Sequence, residues 1–181
     1  MFDAASAMAA GTAIFPQAPV VLEGGAAAGP RAEIERKAET MAALAARDTQ
    51  RFARHLVRMF DEEGIQLGRA IVMALLPDGS VGVVGAHPDK IRVERLFVED
   101  ELLFHTFHTV VRQNDMVASA EICRRYLQES YGAAGNHGRM AVWRRYRALC
   151  DQMESLAGRL TLASGRLMSG ALDFTATALA Q

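Results

Sequence analysis

An apolar run from Leu67 to Ala86 folds back on itself at Leu76-Pro77-Asp78-Gly79-Ser80, and few architectures can absorb it. Proline presets φ for the first corner of a turn, aspartate hydrogen-bonds locally, and glycine takes the positive φ that follows. Ile71-Val72-Met73-Ala74-Leu75-Leu76 and Val81-Gly82-Val83-Val84 flank it, which predicts a β-hairpin. Both faces of the first strand are apolar, with Ile71, Met73 and Leu75 on one and Val72, Ala74 and Leu76 on the other. Such a strand is expected to be covered on both sides. A lone two-stranded hairpin is marginal in water, so other parts of the chain, or a second copy, must cover it.

Long helices are the expected cover. Pro30 opens one and Gly64 closes it, giving a helix over 31–63. Ile34, Ala38, Met41, Ala45, Phe52, Leu56 and Met59 form its apolar stripe, while Glu33, Glu35, Arg36, Lys37, Arg47, Arg51, Arg54 and Arg58 occupy the rest. Glu33 and Lys37 have the favourable four-residue order for an ion pair. At about 50 Å this helix should lie along another long one. Residues 91–98 read as either strand or helix, and Pro88 and Asp89 favour a short helix. Asp100 can cap a helix over about 100–130, in which Asn114-Asp115 marks a possible bend. A glycine-rich loop over 131–138 leads to a last helix over about 139–170. Leu149, Met153, Leu156, Leu160, Ala163, Leu167, Ala171, Phe174 and Ala178 follow at three- and four-residue steps there, which suggests a coiled-coil-like seam. Gly158, Gly165 and Gly170 weaken it, so the seam needs a partner surface.

The fold class expected is therefore mainly α with a small β-hairpin. Residues 1–30, rich in alanine, glycine and proline, read as a flexible arm, 31–165 as one helix-rich domain, and 166–181 as a helical extension prone to fraying. The chain is 181 residues long and half hydrophobic, enough for one substantial core. Its net charge of −1 provides no global field for nucleic acid or anionic membrane. Arginine outnumbers lysine 18 to 2 and there are 32 alanines, a skew that suggests a GC-rich, bacterial genome. No apolar run reaches the ~20 residues of a membrane span, and no basic residue precedes Arg31, so a cytoplasmic protein without a secretory signal is expected. Cys123 and Cys150 suit reduced thiols. The charge-poor N-terminus and amphipathic helices also admit an alternative, a leaderless exported or secretion-associated protein.

Two groups carry candidate chemistry. Glu101, His105 and His108 share one helical face and could bind zinc or iron, as a metal-dependent enzyme or sensor would. The bland alternative is a polar edge between Phe104 and Phe107. Arg139, Trp143, Arg144, Arg145, Tyr146 and Arg147 interleave cations with aromatics, as single-strand binders do. The simpler reading makes Trp143 and Tyr146 core anchors and pairs Arg147 with Asp151. No phosphate loop, GxSxG, CxxC or HExxH occurs, so no motif supports catalysis. The leading expectation is a non-enzymatic interaction protein, a homo-oligomer and most simply a dimer, although another protein could be the partner. Its contact residues would be Ile71, Met73, Val81 and Val83 of the hairpin with Leu156, Leu160 and Leu167 of the seam.

Overall fold

The computed structural model describes residues 28–180, so the expected arm and the export reading built on it fall largely outside the described residues. In order, the chain forms α1 (Ala28–Glu62), β1 (Ile71–Leu75), β2 (Val81–Val84), α2 (Lys90–Glu99), α3 (Glu101–Gly132), α4 (Gly135–Leu156), β3 (Arg159–Ala163), β4 (Arg166–Ser169) and α5 (Gly170–Leu179). The architecture is mainly α with a minor sheet.

Local chemistry sets the ends of these elements. Gly64, at φ +63°, closes α1: Ile65 N–H donates to Phe60 O and Gly64 N–H to Asp61 O, the doubled bond of a Schellman motif. The Arg92 guanidinium of α2 then donates to Glu63 O, which ties α2 to that end. Residues 91–98 are helical. Asp100 caps α3 by accepting from Leu103 N–H at 2.9 Å. In the first hairpin the Asp78 carboxylate accepts from both the amide and the hydroxyl of Ser80, at 2.9 and 2.7 Å. Those two donors hold its pKa below the ordinary carboxylate range.

The expected single helix over about 139–170 is corrected. Helix α4 stops at Leu156, and a second hairpin follows whose two-residue loop, Ser164-Gly165, has φ +50° and +73°. Positive φ at both positions is what a right-twisted hairpin requires. Leu160 of the expected seam also alternates with Leu162, and strand pairing takes both: Leu160 opposes Met73 and Leu162 opposes Ile71. The frayed extension expected over 166–181 is corrected for the same reason. Residues 166–169 are strand β4, and α5 buries Ala171 and Thr175.

The sheet is antiparallel throughout, in the order β2-β1-β3-β4. Ile71, Met73, Val81, Val83, Leu160 and Leu162 form one buried face, packed with Phe52, Leu56 and Phe60 of α1, Val93 and Phe97 of α2, and Leu103, Phe107, Val110 and Val111 of α3. The opposite face carries Arg159, Thr161, Arg166 and the exposed Val84 and Met168. Cover on both faces was the expectation from β1 alone. Strands β3 and β4 supply the polar residues that let one face meet water. A second core joins the far half of α3 to α4 and α5 through Ala118, Ile122, Tyr126, Tyr146, Cys150, Met153 and Ala171. Between the cores α3 stays helical without a break through Asn114-Asp115. Both side chains cross-link: Asn114 donates to Thr49 Oγ1 at 2.9 Å, and Asp115 accepts from Gly158 N–H at 3.0 Å.

Candidate functional site

Most of the hairpin and seam residues expected at an interface are taken up by the chain's own core. Ile71, Met73, Val81, Val83 and Leu160 are buried by the chain's own helices, and Leu156 and Leu167 are half-buried. The cover that the first hairpin demands comes from α1, α2, α3 and β3 of the same chain.

The metal set is likewise not assembled. Glu101 and His105 meet at 3.3 Å on the exposed side of α3, as their four-residue spacing dictates. His108 lies against the Phe104 ring, and burial, with Arg112 and His105 nearby, lowers its pKa. Among the described residues no group of three or more His, Cys, Asp or Glu is placed to hold a metal. A single helix face offers two donors at contact distance, and no facing element adds a third. The polar-edge reading describes these residues better.

The arginine and aromatic cluster of α4 is engaged internally. Tyr146 is buried, and its hydroxyl donates to Glu129 at 2.6 Å. Arg145 pairs with the same carboxylate at 2.6 Å and stacks over the Tyr146 ring. Arg147 pairs with Asp151 at 3.0 Å, the partner expected from their spacing. Burial raises the pKa of both thiols, Cys150 to about 12, so both stay protonated and poorly nucleophilic. Neither is in a disulfide.

What the fold does create is a groove of about 820 Å³ between α1 and α3. Helix α1 runs antiparallel to α3, with Thr49 beside Asn114 and Phe52 beside Phe107. Phe52, Leu103 and Val110 form the floor. Arg47, Arg51, Arg54 and Arg58 line one wall, together with Asp48 and His55. Their steps of four, three and four residues place them on one arc of α1, about 60° wide. The other wall is Leu102, His105, Thr106 and Thr109. The two threonine hydroxyls already donate to Leu102 O and His105 O, so this wall is largely apolar methyl and leucine surface. Arg47 pairs with Asp48 at 3.1 Å, and Arg58 touches His55 Nδ1 at 3.4 Å. Among the described residues Arg51, Arg54 and Arg58 form no ion pair with a carboxylate. The sequence places these arginines off the apolar stripe of α1. Their periodicity was visible, but the helix lying beside them was not.

Compared with protein-family models, with curated proteins and with solved structures, the chain matches none. Among the described residues no helix is long and apolar enough to cross a membrane.

Proposed function

We propose that this chain is a non-enzymatic interaction protein that seats a protein partner along the α1–α3 groove. The observation that carries the reading is the row of four arginines, three of them without a carboxylate partner among the described residues. Guanidinium groups gathered on one arc repel one another, and an anionic partner relieves that repulsion. Arginine remains protonated throughout the physiological range, so such a wall binds and orients but does not move protons. The two protonated thiols support the same reading.

Self-association, the second reading, has an observation of its own. Ile91, Val98 and Leu102 are 80%, 81% and 76% exposed, and the first two, seven residues apart, share the outer side of α2. Large apolar side chains so exposed and so near one another suit contact with a second surface, in the simplest case a copy of the chain across a two-fold axis.

A photo-crosslinking residue at Thr106, on the groove wall, tests both, with the exposed Ser155 of α4 as the control position. In the cells that make the protein, a discrete adduct is expected from position 106 and none from 155. An adduct of twice the chain mass identifies self-association, and any other discrete mass a different protein. Equal labelling from both positions, or none from either, overturns the reading.

A further inference from the structure

We infer that the occupant of the α1–α3 groove is an acidic amphipathic helix of a partner protein, about three turns long. The inference rests on the interaction reading above and adds the chemistry of the partner. From Arg47 to Arg58 there are 11 residue steps along α1, which is about 16 Å along the axis. Their rises alternate between about 6 and 4.5 Å, the spacing at which one face of a second helix presents side chains. A helix with glutamates at the same steps sets a carboxylate opposite each guanidinium, in the forked geometry that arginine favours.

The two walls differ, and that difference selects the ligand. One wall carries the four arginines with Asp48 and His55 between them, while the other offers Leu102, 76% exposed, and the methyl groups of Thr106 and Thr109 on either side of His105. A helix acidic on one side and apolar on the next satisfies both walls at once. A nucleic-acid strand carries charge along its whole backbone and gains most from exposed aromatic rings, whereas the aromatic ring in this groove, Phe52, is buried in the floor. A bilayer is flat and cannot enter a groove.

The test uses the full chain and a labelled, capped, alanine-based helix of about 15 residues. The peptide carries glutamates at four-, three- and four-residue steps with leucines alongside, and is compared with its glutamine counterpart by fluorescence anisotropy. At low ionic strength the glutamate peptide is expected to bind at least about tenfold more tightly, with the difference shrinking as salt rises. Arg51→Glu with Arg54→Glu should lower that affinity about tenfold, and a lysine version of the peptide should recover binding to this variant. Arg51→Gln with Arg54→Gln is the milder companion, and an unchanged melting curve confirms that either variant is folded. Equal binding of the glutamate and glutamine peptides overturns the inference, as does tighter binding of an oligothymidylate or of phosphatidylserine vesicles. If crosslinking from Thr106 succeeds while this peptide series fails, the groove has a protein partner of other chemistry, and only the acidic-helix inference falls.

Discussion

The two cores of this protein are built from different material, although one helix runs through both. The first gathers Phe52, Phe60, Phe97 and Phe107 with aliphatic side chains from four strands and three helices. Its rings meet edge to face, Phe107 with Phe97 at 5.3 Å and with Phe52 at 6.3 Å. The second is smaller, with Ile122, Met153, two tyrosines, two alanines and a cysteine at its centre, and the hydroxyls of Ser130 and Thr175 are buried without a partner among the described residues. A larger core of apolar side chains from distant segments gains much from exclusion of water, whereas a smaller core beside orphaned hydroxyls gains less. The first should therefore hold the fold. The second depends on it through α3 and through the pairing of β3 with β1.

The strongest way to break that dependence is Phe107→Ala. Phe107 is fully buried at the junction of α1, α2 and α3, and the cavity should cost about 3–5 kcal/mol. Trp143, the sole tryptophan, packs against the second core, so its fluorescence reports that half alone. If the first core supports the second, fluorescence and far-ultraviolet circular dichroism should shift to lower denaturant together. A fluorescence transition that stays in place while the dichroism shifts would show two independent halves.

Between the cores sits Asp115. Burial raises its carboxyl to a pKa of about 6, against the lowering effect of the Gly158 amide. A carboxyl raised on folding binds its proton more tightly in the native state. Its contribution is therefore complete below the unfolded pKa of about 4 and is lost as pH rises through about 6. The half-buried position lets water and salt screen part of that effect, leaving about 1–2 kcal/mol. Asp115→Asn keeps an acceptor for Gly158 and removes the charge. It should raise stability by that amount at neutral pH and flatten the dependence between pH 4 and 7. Urea melts across this range check it, and an unchanged slope would place the pH response elsewhere.

The hairpin that joins the halves is also where sequence and structure part company. The first hairpin, the Gly64 stop and the Asp100 cap were legible because each is written in residues a few positions apart. The second hairpin was not, because Leu156, Leu160, Ala163 and Leu167 fit helical steps while Leu160 and Leu162 also fit strand alternation. Gly158, at φ +76° just past the cap of α4, and Ser164-Gly165 discriminate, but glycines inside an apolar stretch are a weak signal until a strand partner is known. Of the candidate site, the arginine spacing lay open in the sequence, but the antiparallel α3 that turns a solvated stripe into a groove is a tertiary fact. The turn can be tested: Gly165→Ala places a side chain at φ +73° and should cost about 1–2 kcal/mol. Because β3 completes the first core, amide exchange should accelerate in β1 as well as in β3 and β4. Faster exchange confined to α5 would mean that the hairpin belongs to the second half alone.

The smallest expected effect separates the polar part of the second core from its packing. Tyr146 sits edge to face with Tyr126 at 5.9 Å, and its hydroxyl shares Glu129 with Arg145. Tyr146→Phe retains the ring and deletes one donor, while the Glu129 carboxylate keeps its arginine. The loss should be about 1 kcal/mol, the net value of one hydrogen bond whose acceptor stays paired. Thermal unfolding followed by Trp143 fluorescence resolves such a shift. A loss approaching that of Phe107→Ala would mean that this hydroxyl, rather than apolar burial, organises the second core, and the contrast between the two cores would then lie in the kind of interaction rather than in its strength.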